Sequence, residues 1–250
     1  KKQYRYYMSL CNENGFKFIT SREEFESVIC SQTYKFGIVP MIEGADFITN
    51  KSDLNYWINN GIKIIAPIWQ KNQIGGCAEL GGGLTNFGRK LIKCMSDENI
   101  MIDISHMSDE AAHSTFDCSN GIIINSHTCC RHFIDSERLI SDWQIKQIHR
   151  RNGVIGLMTW RQKLKQKSSV GINDFVDHIS YIADLTGSVN NIAIGSSMDG
   201  GYGVESLPNG MKSIESLNML QDEMIKRKFS EQEIEAVLYK NWSRVFCNLY

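Results

Sequence analysis

Glu43, His106 and His127 each close a short apolar run: GIVPMIEGAD over 37–46, NIMIDISH over 99–106 and GIIINSH over 121–127. Ile, Val and Met fill these runs, as strands covered on both faces require, and a side chain able to ligate a metal ends each one. In a parallel α/β barrel the C-terminal ends of the strands converge on one rim, so residues distant in sequence become neighbours. A carboxylate and two neutral imidazoles gathered there form a donor set suited to zinc. The pattern therefore predicts a metal site built from three strand ends.

Such side chains need a scaffold, and helix and strand signals alternate along the chain. Ser21 and Glu24 make a capping-box pattern ahead of Phe25 and Val28. A helix beginning at Asp53 stops at Gly61, and IKIIAPIW over 62–69 reads as a buried strand ending in Trp69. The Gly-rich stretch 75–83 is a loop, after which Thr85 caps a helix carrying Phe87, Leu91, Ile92 and Met95. Ser108 and Ser141 open helices over 108–118 and 141–151, strands at 153–160 and 191–197 flank a helix over 173–187, and Ser230 opens the second of two closing helices.

Alternation without hairpin signals predicts a parallel sheet. No Gly-rich nucleotide fingerprint follows an early strand, which favours a barrel over a doubly wound sheet. The expected fold is α/β, a (β/α)₈ TIM-type barrel forming one domain over 1–250, with six strand candidates. That is about two short of the usual eight, so the barrel is read as lacking its first strand or strands.

The chain has 250 residues, 42% hydrophobic and 22% charged, with a net charge of −1. This balance argues against nucleic acid or an anionic membrane as partner. No apolar run approaches the roughly 18 residues of a membrane span, and no secretory signal opens the chain. It begins Lys-Lys without Met and is read as N-terminally incomplete. None of the 8 cysteines falls in a CxxC pair, so reduced thiols and a cytoplasmic location are expected. His113, His132, His149 and His178 lack partner spacing and read as solvated, as does the basic run Arg161–Lys167.

GLTNFGRKLIKCMSDENIMIDISHMSDEAA, then GIIINSHTCCR, then KNWSRVF, closely resembles the renal (membrane) dipeptidase family of zinc metallopeptidases. The resemblance runs from about MIEGAD to the end, with several motifs in the right order. It implies an amidohydrolase-type barrel, two zinc ions bridged by a glutamate, and hydrolysis of dipeptides, often with a D-residue at the C-terminal position. Glu43 matches the bridging glutamate, and His106 and His127 match the histidines of the second metal. Arg138, in SERL, matches the arginine that holds the substrate carboxylate, for which a bidentate guanidinium is suited. Trp69 stands where the renal enzyme has a substrate-contacting histidine.

Two departures qualify this reading. The family's first strand carries a His-x-Asp pair that ligates the first metal, and no His-x-Asp occurs in this sequence. The motif Gly-[Ser/Gly]-Asp-Phe-Asp-Gly reads Gly195-Ser-Ser-Met-Asp-Gly200, so Asp199 survives and is expected, with Arg138 and Trp69, to bind substrate, while Ser197 occupies the catalytic aspartate's position. A serine hydroxyl does not accept a proton as a carboxylate does, and loss of a positioned base typically costs about 10²–10⁴-fold in rate.

Three expectations follow from the resemblance and its departures. The chain is a zinc-dependent dipeptidase with one or two metal ions and a small peptide substrate. Alternatively, it is a pseudoenzyme that binds metal or peptide without cleaving. Or it is a barrel whose exposed sheet edges are covered in a homodimer or by a completing partner chain.

Overall fold

The computed structural model describes residues 1–13, 15–30 and 36–249. Its strands are β1 (Phe16–Phe18), β2 (Phe36–Ile38), β3 (Met41–Glu43), β4 (Ile64–Ala66), β5 (Met101–Asp103), β6 (Ile123–Thr128), β7 (Ile155–Leu157) and β8 (Ile192–Ile194). Strands β3 to β8 form one parallel sheet whose spatial order is the chain order, and β1 pairs with β2, also in parallel. Stepping always to the adjacent parallel strand is the order of staves in a (β/α)₈ barrel.

The run over 37–46 is not one strand. Pro40 offers no N–H to a ladder, and the run breaks there into β2 and β3. If β2 and β3 count as one interrupted stave, β1 stands beside it and the described residues supply seven consecutive staves. That corrects the six counted from sequence: the FKF segment of β1 is too short for its alternation to be recognised as a strand.

The helices before, between and after the staves are α1 (Lys2–Glu13), α2 (Arg22–Cys30), α3 (Lys51–Asn59), α4 (Asn86–Asp97), α5 (Asp109–Cys118), α6 (Asp142–Arg150), α7 (Arg161–Leu164), α8 (Ile172–Thr186), α9 (Asn218–Lys226), α10 (Glu231–Glu235) and α11 (Asn241–Cys247). The side chains of Asn50, Thr85, Ser108, Ser141 and Ser230 each accept an N–H from the first turn of the helix they cap. Each such cap stabilises its helix by about 1 kcal/mol.

Strand residues alternate between two apolar clusters, as the pleat dictates. Ile65, Ile102, Ile123, Ile155 and Ile192 face the helices. Their neighbours Ile64, Met101, Ile124, Val154 and Ala193 pack on the other face, together with Val245 and Leu249. The α11 helix thus fills the inner side of the sheet. It also covers the outer edge of β8, where Asn241 Nδ2 donates to Ile192 O at 2.8 Å and Trp242 Nε1 donates to Ile194 O at 2.9 Å. Phe246 carries the same helix across to Phe25 of α2, with ring centroids 5.7 Å apart. The chain's own C-terminal helix thus engages two carbonyls of this edge.

All eight cysteines are free thiols. His178 is not solvated but fully buried, accepting from Cys130 N at 2.9 Å through Nδ1 while Nε2 faces Leu164 O at 3.0 Å. Its neighbours Phe175, Ile179 and Ile182 mark the buried face of α8, a 3–4 spacing that the sequence already shows. His149 is half-buried against Asn191, while His113 and His132 stack on Trp143 and Tyr181. The basic run is also tied down, with Lys165 on Asp177 at 2.5 Å and Lys167 on Asp174 at 2.7 Å.

Candidate metal centre

Three elements deliver three ligand-type side chains to one place. Glu43 ends β3, and Gly44, with a φ of +79°, turns the chain away while its N–H reaches Ala66 O across the sheet. His106 follows β5, held from one side by Ala78 N donating to its carbonyl and from the other by the Ser108 cap of α5. His127 lies within β6, where Asn125 to Thr128 spans three steps against the two from Ile155 to Leu157. This extra residue is a bulge, which redirects side chains toward the mouth of the sheet. Ser126 O then presses so close to β7 and β8 that a Cβ at Gly156 or Gly195 would overlap it, so both positions require glycine.

His106 Nε2 stands 3.0 Å from His127 Nε2 and 3.2 Å from Glu43 Oε1, and His127 Nε2 is 3.4 Å from the same oxygen. Both imidazoles are largely covered, at 13% and 16% side-chain exposure, while Glu43 stays 40% open to solvent. Lone-pair atoms this close repel one another unless a proton or a cation lies among them. The hydrogen bond from His106, aided by the nearby His127 and Arg138, holds the Glu43 carboxyl below its usual range against the opposing effect of burial. Burial pushes His127 down to about 4, so its imidazole is neutral near pH 7, the form that ligates metals. The donor set fits a divalent metal such as zinc.

Arg138 lies against this triad. Its Nη1 donates to Ser105 O at 2.7 Å and to His127 O at 3.2 Å, and Nη2 is 3.4 Å from His106 Nε2. The two Nη1 protons are thereby used. The loop bearing Arg138 is held by Arg131, which sequence reasoning did not single out. Trp69 is half-exposed at the rim, its ring 6.4 Å from that of His106.

Asp199 does not join the cluster. It is exposed in the turn after β8 and, among the described residues, makes no ion pair. Ser197 adopts a left-handed backbone, with a φ of +54°. Nearby, Tyr202 stacks on Trp160 at 5.3 Å, and burial raises its phenol against hydrogen bonding with Ser197 and Thr159. A cavity of about 700 Å³ lies elsewhere, lined by residues of α1, β1 and the approach to β4, so it does not contain the triad. Asp103, Ser105 and Ser126 beneath the histidines were also missed. Their signal is the D-x-S-H and S-H spacing at two adjacent strand ends.

Residues 2–249 match the family model described as Membrane dipeptidase (Peptidase family M19). Dipeptidase 3 of Rattus norvegicus is 33% identical over 165 residues, covering 66% of this chain and 33% of that protein. The chain thus spans a third of that relative's length. A Klebsiella pneumoniae protein, named as an uncharacterized protein in the pqqA 5'region, is 26% identical over 235 residues, covering 88% of this chain and 85% of its own.

Among solved structures, a metallo peptidase from Rhodobacter sphaeroides, liganded with a phosphinate mimic of the dipeptide L-Ala-D-Ala, superposes with a TM-score of 0.85. It is 21% identical, over 99% of this chain and 72% of its own. An amidohydrolase from Pseudomonas aeruginosa gives a TM-score of 0.89 at 20% identity, over 100% of this chain and 84% of its own. These likenesses confirm the TIM-barrel-type fold. Among the described residues no helix is long and apolar enough to cross a membrane. With a family match along almost its whole length, the chain belongs to the membrane dipeptidase family, Peptidase family M19.

Proposed function

We propose that this chain carries the metal- and carboxylate-binding half of a zinc-dependent dipeptidase site. The observation that supports this most directly is the meeting of Glu43 Oε1, His106 Nε2 and His127 Nε2 within 3.4 Å at the strand ends. Those three residues would hold zinc, which when bound polarises a carbonyl and acidifies water.

The chain's own residues supply the rest of the recognition. Arg138 presents the Nε–Nη2 edge of its guanidinium to the C-terminal carboxylate of a dipeptide, and two parallel hydrogen bonds fix that end of the substrate. Trp69 offers an exposed apolar face beside His106 for a substrate side chain. The relative liganded with a mimic of L-Ala-D-Ala supports a small peptide with a D-residue as the substrate class.

A second reading rests on Ser197. With a hydroxyl where the family resemblance places the catalytic aspartate, the site binds metal and dipeptide without turnover. Hydrolysis of L-Ala-D-Ala by the zinc-loaded protein, with a chelated control, separates the two. Chelator-sensitive cleavage establishes the peptidase. Calorimetric binding that requires Arg138 but gives no product establishes the binding protein. Neither binding nor cleavage by folded protein refutes both.

A further inference from the structure

We infer that buried Asp103, acting through Ser126, locks His127 in the tautomer that leaves Nε2 without a proton, so that the site is aimed before any ligand arrives. The inference concerns the triad proposed above as a metal site, but the lock itself is a property of the protein alone.

Asp103 is fully buried at the end of β5, and four donors converge on its carboxylate. Oδ1 accepts the main-chain N–H of Ser105 and of Ser126, each at 3.0 Å, and the Ser105 hydroxyl at 2.5 Å. Oδ2 accepts the Ser126 hydroxyl at 2.5 Å. Main-chain N–H groups can only donate, and an ionised carboxylate can only accept, so the arrangement is matched on both sides.

The proton count then settles the orientation of His127. Its Nδ1 lies 2.8 Å from Ser126 Oγ. A hydroxyl has one proton, and that of Ser126 is committed to Asp103 Oδ2. Ser126 Oγ must therefore accept from Nδ1, which carries the ring's proton. The opposite arrangement, with Ser126 donating to Nδ1, would set two unprotonated oxygens face to face at 2.5 Å. Ser105 Oγ cannot relieve that contact, because its own proton is on Oδ1. With Nδ1 protonated, the neutral ring has its lone pair at Nε2, and Nε2 is the atom aimed at His106 and Glu43.

The β6 bulge explains why this works across two strands. It places Ser126 and His127 consecutively over β5, where Ser126 can reach Asp103 while His127 reaches the mouth. Asp103 and Ser126 are positioning residues, since they act on the site through His127. A partner on the far nitrogen of a ligating histidine typically changes metal affinity by about 10–100-fold.

The test uses the metal-free protein with ¹⁵N-labelled histidine, in which the Nδ1–H and Nε2–H tautomers have distinct nitrogen shifts, followed by zinc titration against a chromophoric chelator. Wild-type His127 is expected as Nδ1–H near pH 7. Ser126→Ala, which removes the relay and little volume, is expected to give mixed tautomers and zinc binding about 10–100-fold weaker. Ser126→Thr, which restores the hydroxyl, is expected to recover the single tautomer. An Nε2–H signal in the wild type overturns the lock, as does an unchanged tautomer in Ser126→Ala. A wild-type protein with the Nδ1–H signal but no zinc affinity upholds the lock and overturns the metal reading of the site.

Discussion

Arg131 grips Asp109 with two parallel hydrogen bonds, at 2.6 and 2.8 Å, and the same guanidinium holds the carbonyls of Glu137 and Leu139 on either side of Arg138. The pair therefore fixes the backbone on both flanks of the residue proposed to hold substrate. Arg131→Lys keeps the charge but cannot form the fork and the two carbonyl bonds together. It is expected to weaken dipeptide binding about tenfold with the fold retained, as checked by calorimetry and circular dichroism.

Arg138 itself should matter more. Arg138→Ala removes the carboxylate's partner and is expected to reduce affinity for L-Ala-D-Ala about 100-fold. The amide of the same dipeptide, which has no terminal carboxylate, should bind wild type and variant equally poorly. A dipeptide amide that binds wild type as tightly as the acid would dismiss the carboxylate role.

Zinc at 100 times its Kd is expected to stabilise the protein by about 2.7 kcal/mol, and a chelator should reverse the gain. His127→Ala and Glu43→Gln should each abolish the rise in Tm on adding zinc. A rise that survives both substitutions would place the ion somewhere else.

Replacing Ser197 offers a gain-of-function test. Its φ of +54° lies in the left-handed region that aspartate tolerates better than most residues, so Ser197→Asp should fit the backbone. Turnover by the zinc-loaded variant is expected to exceed wild type by about 10²-fold or more, with dipeptide affinity nearly unchanged. Equal rates would show that the hydroxyl is not what limits hydrolysis.

Stability should decline in mild acid. Burial lowers His178 from 6.5 to about 4, so the unfolded chain takes up its proton first as pH falls. The contribution is intact above about pH 6.5 and is lost progressively down to about pH 4, for a total of about 3 kcal/mol. Urea unfolding at several pH values should show this slope in wild type and a shallower one in His178→Asn.

The triad was legible because each ligand-type residue ends an apolar run, and a parallel barrel brings strand ends together wherever they fall in the sequence. The residues beneath it were harder to see. Asp103 stands inside such a run, where a lone acid looks like a strand terminus, and only the pairing of β5 with β6 shows that Ser126 meets it. Arg131 and Asp109 are 22 residues apart and meet only through the loop geometry. His178 was misjudged because histidine is usually exposed, although Phe175, Ile179 and Ile182 already marked its side of α8 as buried. The short β1 strand has too few residues for any pattern to be read.

The side chains of α11 that bind Ile192 O and Ile194 O also decide how the sheet behaves toward its neighbours. An exposed strand edge recruits other strands because its carbonyls and amides wait for partners. Two of these β8 carbonyls are already engaged, by an amide and an indole that cannot extend a ladder. Growth of the sheet from that side, by strand swapping or fibre-like stacking, first requires pulling the helix away. Replacing Asn241 and Trp242 together is therefore expected to free both carbonyls for pairing and to turn a quiet edge adhesive, read as sedimentation that rises with protein concentration.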